Sequence, residues 1–471
     1  MFRSTGFRFI AVGLLALLMF IPLNLVSSII NDRANYSRQT VTSISNEWGG
    51  AQQLSGPVLV IPVTEDVTYD RRREAVDAVT GLTLRDEDGK TIYEHFEETV
   101  TEDRPPVYLF PEDLDISLNT TSQTRARGIF EVPVYTAQSE ISFTFDTSLA
   151  SPALTGDEVL HWNDARLELG LTSNRALRGE AVLTASERTI QLEPLSSRNQ
   201  SVSGGILAEL GDPRTIETYR LALTLNGARH VAATATGRTT RLSITSDWPD
   251  PSFFGSFLPD ARSVTDEGFE ASWSVPHLAR ALPQVSREPL DSLARKSASM
   301  GVRFLTPNDF YQKAYRSARY GLLFIGLTFL TILLLDRNGA TPTHPVQYLM
   351  VGLAQSVFVL LMAAYAEQIG FGAAYAVSAA ATIGLLTIFG ATALKLGKRA
   401  TTLAGMLIVV YAVLYLILQS ADYALLAGST LAFVALAGTM WLTRNEDWHG
   451  PEREPRRWFK RRAPEAPQPS S

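Results

Sequence analysis

Apolar runs near the N terminus and in the last third of the chain enclose a long polar region with short hydrophobic alternation. Runs of about the length needed to cross a bilayer lie at residues 9–30, 320–335, 346–365, 370–394, 403–418 and 423–442. This pattern predicts six membrane-spanning helices. Since six is even, both termini are expected on the same side of the membrane.

The first apolar run predicts a membrane anchor. Val26-Ser27-Ser28 also fits the small-residue cleavage site of a signal peptide, but the run is longer than the apolar part of a usual signal peptide. We therefore favour an uncleaved anchor, in which Pro22 would kink the helix or cost one backbone hydrogen bond.

A second helical pattern follows the anchor. Tyr36, Val41, Ile44 and Trp48 recur roughly on one helical face, and the pair Gly49-Gly50 is expected to end the helix.

Between residues 58 and 275 the pattern is typical of β-strands. Alternating or nearly alternating segments lie at residues 129–135, 141–145, 166–171, 220–225 and 239–245. Asn226-Gly227 and Asp88-Gly89 predict hairpin turns, because the central residues of such turns need a positive φ. Strands at this spacing, without helical periods between them, favour an antiparallel sandwich.

These patterns predict a membrane α-helical bundle of six spans plus a large extracytoplasmic, mainly-β domain that is antiparallel and sandwich-like. The predicted domains are an N-terminal signal-anchor span at 1–30, the β domain at 31–310, a five-span helical domain at 311–443 and a basic, disordered tail at 444–471. The β domain is long enough for two subdomains divided near residue 155. Because no Gly- or Ser-rich linker separates the domains, residues 308–336 are expected to form one rigid helix.

Basic residues indicate the orientation, since cytoplasmic loops are enriched in Lys and Arg. Three groups share one side of a six-span arrangement: Arg3 and Arg8; Lys395, Lys398 and Arg399; and Arg444, Arg456, Arg457, Lys460, Arg461 and Arg462. Lys313, Arg316 and Arg319 fall on the other side, where long side chains at a helix end can reach headgroups. We predict a multi-pass protein of the bacterial inner membrane, with both termini cytoplasmic and the large domain periplasmic.

Composition removes several classes of function. The 471 residues include no cysteine, which excludes disulfides, thiolate metal sites and cysteine catalysis, and the net charge of −6 comes with no basic patch for nucleic acid. The six histidines lack metal-binding spacing, and no GxSxG, Walker or dinucleotide motif occurs. We therefore predict no catalytic, cofactor-binding or metal-binding residues and no enzymatic activity.

The predicted bundle offers packing signals and a few polar groups. Gly372, Ala376, Ala380 and Gly384 recur every four residues, a spacing that lets helices approach closely. Gln355 is expected to make a hydrogen bond between helices rather than bind a substrate.

Charged groups are expected on the outer face of the bundle. Glu367 and Asp422 lie at span ends, where they would meet Lys313, Arg316 or Arg319 and dock the exported domain, or else remain solvated loop acids.

An aromatic segment at residues 247–255 is the other candidate for interaction. Trp248, Phe253 and Phe254 stand among turn-forming residues, so the segment is either a binding loop or an ordered corner that packs its aromatics into the sandwich. We favour the corner.

Several segments together resemble the CreD family, bacterial inner-membrane proteins described as cell-envelope integrity proteins. They are WGGAQ at 48–52, GPVLVIP at 56–62, RGIFEVPVY at 127–135, WPDPSFFGSFLP at 248–259, RSARYGLLFIGLTF at 316–329, HPVQYLMVGLA at 344–354, QSADYALLAGS at 419–429 and TRNEDW at 443–448. Ala421 departs from the acidic residue expected before Asp422, which weakens any role for a pair of acids there. The resemblance implies association with envelope stress, the β-lactam response and control by the CreBC two-component system, and it supplies no catalytic residue.

Three functions remain open at this point. The favoured hypothesis is maintenance of the envelope under stress, through contact of the β domain with an envelope protein or glycan and with the lipid bilayer around the spans. The multi-span region would also suit a transporter or lipid-handling protein, which requires a polar cavity in the bundle. A membrane-tethered periplasmic enzyme would require a cleft with convergent carboxylates or histidines.

Overall fold

The computed structural model describes residues 5–78, 81–195, 204–305, 310–336, 343–419 and 424–444. The chain forms two compact units: Met1–Ser37 with Asn308–Ser471, called the membrane unit below, and Arg38–Pro307, called the β unit. Of the predicted tail, only Arg444 belongs to the described residues.

The helices follow the apolar runs. They are α1 Thr5–Leu18, α2 Phe20–Glu47, α3 Asp291–Ser297, α4 Phe310–Asp336, α5 Pro345–Ile369, α6 Phe371–Thr392, α7 Ala400–Gln419 and α8 Ala424–Thr443. Within the described residues, five segments are long and apolar enough to cross a membrane: Gly6–Glu47, Phe310–Asp336, Pro345–Ile369, Phe371–Thr392 and Gly397–Gln419. These match five of the predicted spans. The sixth corresponds to α8, whose apolar part Leu426–Trp441 is shorter, so a sixth span stays a prediction.

Proline and glycine punctuate the N-terminal helices as expected. Pro22 has no N–H to donate to the carbonyl of Leu18, and α1 ends at Leu18. Helix α2 then continues to Glu47 and is ended by Gly49 and Gly50, whose φ angles are +114° and +73°. A Cβ on Gly49 would lie only 2.7 Å from the carbonyl oxygen of Asn226, so both conformation and space require glycine there.

The predicted face of α2 has a packing partner within the β unit. Ile44 is buried in a small cluster with Val132, Val134 and Ala228, and Val41 and Trp48 pack against that cluster. Tyr36, by contrast, is exposed.

Two sheets make up the β unit. Its strands are β1 Gln52–Glu74, β2 Tyr93–Leu109, β3 Asp113–Arg127, β4 Phe130–Phe143, β5 Val159–Leu160, β6 Arg166–Gly170, β7 Leu177–Ala185, β8 Arg188–Ile190, β9 Glu193–Pro194, β10 Gly205–Glu209, β11 Tyr219–Ala228, β12 His230–Thr234, β13 Thr239–Ser246, β14 Pro251–Gly255, β15 Ala261–Thr265, β16 Gly268–Pro276, β17 Val285–Ser286 and β18 Ser299–Phe304.

One sheet has ten strands in the order β14-β18-β12-β1-β6-β10-β9, with β2 and β5 also paired to β1 and β17 paired to β2. The other has eight strands in the order β15-β16-β13-β3-β4-β11-β7-β8. Most pairs are antiparallel as predicted, but β1 pairs with β12, and β3 with β13, in parallel. One hydrophobic cluster contains residues of both sheets, such as Leu59 and Ile61 from the first and Leu114 and Ile116 from the second.

The region predicted to divide near residue 155 is one compact unit. Strand pairs join its two halves repeatedly: β1 pairs with β6 in one sheet, and β4 pairs with β11 in the other. Strands β4 and β6, which precede and follow residue 155, each pair with one strand from either half of the sequence.

The predicted turn at Asn226-Gly227 is wrong. Both residues lie inside β11, where they pair with Thr136 and Tyr135 of β4. A Cβ on Gly227 would overlap the Tyr135 ring, whose hydroxyl donates to the carbonyl oxygen of His230 at 2.8 Å. The glycine therefore makes room for a tyrosine, and the chain turns at Arg229, where φ is +71°. The turn at Asp88-Gly89 is confirmed, since the Gly89 N–H donates to the Asp86 carbonyl at 3.0 Å.

The row of small residues on α6 does not form the close helix contact that its spacing predicts. Nothing lies within 4 Å of a Cβ built on Gly384, and one on Gly372 would meet only the Tyr415 hydroxyl at 3.8 Å. Helix α6 packs through its opposite face. There the Tyr375 hydroxyl donates to the Tyr411 carbonyl at 2.5 Å, so a large side chain sets the separation of the helices.

Candidate functional site: a groove on the eight-stranded sheet

A groove of about 850 Å³ crosses the outer face of the eight-stranded sheet. Apart from Asp260, which precedes β15, its polar lining comes from alternate positions of β3, β4, β7, β11, β13 and β16, because successive side chains of a strand point to opposite faces. The lining includes Asp115, Ser117, Glu140, Ser142, Thr184, Arg220, Arg241, Ser243, Asp260, Ser272 and Ser274.

The same alternation places buried apolar side chains between the polar side chains of the groove. Along β13, Leu242 and Ile244 are buried while Arg241, Ser243 and Thr245 are exposed, and β16 alternates in the same way. Each strand therefore anchors its polar residues through the apolar residues between them.

An ion pair lies in the groove. Arg241 donates from Nε to Oδ1 of Asp115 at 2.5 Å and from Nη2 to Oδ2 at 3.1 Å, and Asp113 lies 3.8 Å away. The hydrogen bond that Arg241 donates to Asp115 raises the pKa of the Arg241 guanidinium, so the arginine stays charged. Because both side chains are about half exposed, the pair contributes little to stability and remains open to a ligand.

The remaining lining groups supply both donors and acceptors. Arg220 is opposite Ser142, and Glu140 is opposite Ala222, so these two charged residues are diagonal neighbours on adjacent strands. Asp260 accepts from the Ser274 N–H at 2.6 Å. Charged groups, hydroxyls and small side chains arranged in this way suit an extended polar chain that can exchange several hydrogen bonds with the sheet.

The groove does not have the geometry of a nucleophilic active site. Its described lining contains serines but no histidine or lysine that would activate one. Among the described residues, no group of three or more His, Cys, Asp or Glu side chains could hold a metal ion.

None of the three predicted aromatic candidates lines the groove: Phe253 and Phe254 lie on β14 of the ten-stranded sheet, and Trp248 lies in the loop before it. The Trp248 indole N–H donates to the Leu305 carbonyl at 3.1 Å, and Phe253 packs edge-on against Phe269 and Trp273. Trp248 and Phe253 are thereby packed against the core, in the arrangement of an ordered corner.

Phe254 extends from the other face of β14. Its ring meets the His230 ring edge-on at 5.2 Å and the Arg303 guanidinium at 4.3 Å. Burial, together with the positive charges of Arg303 and Arg229, lowers the pKa of His230 to about 4, so this histidine is neutral at neutral pH.

The charged candidates of the membrane unit have partners within that unit. The Lys313 ammonium donates to Gln419 at 3.2 Å and lies 4.8 Å from the centre of the Phe371 ring. Arg316 donates to the Leu418 carbonyl at 3.2 Å, and Arg319 lies over the Tyr315 ring. Asp422 lies outside the described residues.

Glu367 binds an arginine that sequence reasoning did not select. Arg33 donates from Nε at 2.9 Å and from Nη2 at 3.0 Å to its two carboxylate oxygens, and the Tyr311 hydroxyl donates to Oε1 at 2.8 Å. The three residues join α2, α4 and α5. Arg33 stands three positions after the first apolar run, which puts it at the outer end of the first predicted span, on the side expected for Glu367.

Gln355 makes the interhelical hydrogen bond that its position predicts. Its side-chain N–H donates to the Thr328 hydroxyl at 2.8 Å and joins α5 to α4.

Known proteins resemble this chain along almost its full length. A family model described as "Inner membrane protein CreD" matches residues 4–449. Inner membrane protein CreD of Escherichia coli (strain K12) is 30% identical over 442 residues, which cover 92% of this chain and 91% of that protein.

Proposed function

Because the chain belongs to the CreD family of inner-membrane proteins, we propose that it maintains the cell envelope under stress by contact of its β unit with an envelope protein or glycan. The observation that carries this proposal is the groove of about 850 Å³ on the eight-stranded sheet. An envelope polymer is long, polar and rich in hydroxyl and amide groups, and the groove offers donors and acceptors along several strands.

The proposed topology has six spans, cytoplasmic termini, and a periplasmic β unit with the sheets packed as a sandwich. Three basic groups, beginning with Arg3, Lys395 and Arg444, support this orientation, and the apolar helix α8 supplies the sixth span.

The absence of cysteine in the sequence gives a direct test of orientation. A single cysteine replacing exposed Glu187, in the turn between β7 and β8, should react with a membrane-impermeant maleimide in intact cells whose outer membrane is permeable to the reagent. A cysteine in place of Ser470 should react only after lysis. If only the cysteine at position 470 were labelled in intact cells, the true orientation would be the reverse of the proposed one.

The proposed role is binding rather than catalysis. Serine hydroxyls without an adjacent base are poor nucleophiles, and such hydroxyls line the described part of the groove. Turnover of a β-lactam or a peptidoglycan fragment by the purified chain would contradict this view.

The functional test removes the charged pair of the groove. A strain that lacks the gene would carry either the natural chain or the double variant Arg241→Ser with Asp115→Ser. We expect the variant to reach normal levels in the membrane, because exposed ion pairs contribute only about 0–1 kcal/mol. Resistance to β-lactams and normal cell shape should nevertheless be lost to the extent seen in the deletion strain.

A matched control removes another exposed ion pair, which lies outside the groove. Arg214 and Asp212 form an ion pair outside the groove at 2.6 Å, and the variant Arg214→Ser with Asp212→Ser should complement the deletion. Full complementation by the groove variant would refute the groove as the contact site. A deletion strain with unchanged drug sensitivity and cell shape would refute the proposed role itself.

A further inference from the structure

Strands β1 and β2 extend beyond the rest of their sheet as a two-stranded ribbon. Strand β1 has other partners only up to Thr64, whereas residues 65–74 pair solely with residues 93–102 of β2 among the described strands. At about 3.3 Å per residue, the ribbon is roughly 30 Å long. We call residues 65–74 and 93–104 the arm; both of its outer edges have free backbone groups.

The two faces of the arm differ in charge. On one face the arginines are paired with acids: Arg71 with Glu98, Arg73 with Glu94, and Arg104 with Glu65 and Glu102. The other face carries Asp66, Asp70, Glu74, Glu97 and Asp103 together with Arg72 and His95, and all of these side chains are exposed. The Nδ1 atom of His95 lies 3.1 Å from Oδ1 of Asp70. The second face is therefore an acidic strip along the whole arm.

The end of the arm carries several exposed apolar side chains beside the charged turn at residues 85–90. Val76 is 57% exposed, Leu82 70%, Leu84 41% and Ile92 42%, and bridges between Val76 and Thr83 and between Arg85 and Thr91 hold this segment together. Several large apolar side chains exposed in one short segment are a feature of interaction surfaces.

Three features together indicate a binding element. A two-stranded ribbon alone is only marginally stable in water, so a ribbon of this length gains from a partner. Its unpaired edges are templates for an additional strand. The charged side chains along it discourage pairing with any strand that carries charge of the same sign.

We propose that the arm binds an extended basic segment of a partner protein, which pairs with a free edge through main-chain hydrogen bonds. Lysine or arginine side chains of that segment would lie along the acidic strip. Its apolar residues would cover the exposed apolar side chains at the end of the arm. A second copy of this chain fits poorly, because its arm carries the same charge, and an anionic lipid surface would repel the strip. This inference rests on the proposed function, since it names the kind of envelope protein that the β unit contacts.

The test uses the purified full-length chain and a labelled peptide of about ten alternating lysine and valine residues, as long as the arm. We expect saturable binding in fluorescence anisotropy that weakens with rising salt. The variant Asp66→Asn, Asp70→Asn, Glu97→Gln and Asp103→Asn should bind about tenfold more weakly or worse. A control variant with the same loss of charge elsewhere, Glu131→Gln, Glu187→Gln, Asp266→Asn and Glu267→Gln, should bind normally.

A second probe separates strand pairing from simple charge attraction. The same peptide with alternate main-chain nitrogens methylated keeps its charge but loses half of its donors, and it should bind about tenfold more weakly. Equal binding of the methylated peptide, or equal loss in both four-site variants, would overturn the inference. So would a change of oligomeric state in the arm variant alone, measured by light scattering, because the arm would then contact a second copy. If the arm failed to bind the peptide, the proposed envelope role would still be tested separately by the groove variants in cells.

Discussion

The two units bring chain segments close together in different ways, and their glycines show the difference. In the β unit, a Cβ on Gly301 would collide with the backbone of β12, at Val231 and Ala232. In the membrane unit, a Cβ on Gly352 would meet chiefly the thioether end of Met19. A methionine can change rotamer, but a strand cannot move without breaking its hydrogen bonds. At these two glycines, close approach is therefore limited by backbone in the sheet and chiefly by a flexible side chain in the bundle.

The largest expected effect on stability comes from replacing a closely packed glycine with alanine. The same change can be made in each unit and compared. Gly301→Ala should destabilise the β unit by about 3 kcal/mol, because β12 and β14 on either side of β18 must move apart. Gly352→Ala should cost the membrane unit less than about 1 kcal/mol, since Met19 can move and alanine favours a helix over glycine. Hydrogen exchange of peptides from each unit, followed by mass spectrometry of the full-length chain, would measure both.

Two further results would test this contrast between the units. Gly384→Ala, in open space on α6, should leave exchange unchanged or slow it slightly. If Gly352→Ala instead cost as much as Gly301→Ala, the helices would be fixed as rigidly as the sheets, and the distinction would be lost.

The second effect concerns pH and involves the same strand pair, because His230 of β12 lies opposite Arg303 of β18. Its folded pKa of about 4 is below the ordinary value of 6.5, so the unfolded chain binds the proton more readily. The stability that this group contributes is complete above pH 6.5 and is lost as pH falls toward 4. From pH 7.5 to pH 5 the β unit should lose about 1–2 kcal/mol through this residue, because solvent screens part of the interaction at its partly exposed ring.

Urea midpoints of the β unit, followed by tryptophan fluorescence in the full-length chain at pH 7.5 and pH 5, would test this loss. His230→Gln lowers the starting stability because its contact with Phe254 is removed, but the difference between the two pH values should shrink. The same pH difference in both proteins would mean that another group is responsible.

Local sequence patterns predicted helices and strands well where the length of an apolar run, or the alternation of buried and exposed positions, determines the element. Five apolar runs became long helices, and the segments at 129–135, 166–171 and 239–245 lie largely within strands. Asn226-Gly227 failed because its glycine serves a tertiary contact with Tyr135, which no local rule contains.

The groove and the ion pair of the membrane unit were not predicted, because both depend on distant parts of the chain. Asp115 and Arg241 meet only because β3 and β13 run parallel, 126 positions apart. Arg33 and Glu367 are separated by 334 positions. Charge and residue type made Glu367 a candidate, but only the packing of helices identifies its partner.

The central position of β1 in the ten-stranded sheet has a consequence for biosynthesis. This early strand pairs in parallel with β12, and the Thr234 hydroxyl reaches the Leu54 carbonyl across 180 positions of sequence. At about 5–20 residues per second, roughly 10–40 seconds of translation separate the two strands. During that interval the apolar residues from Leu59 to Val63 have no complete sheet to enter. The nascent chain therefore needs a holding factor, or rapid pairing of β1 with β2, to keep this segment from aggregating until β12 is made.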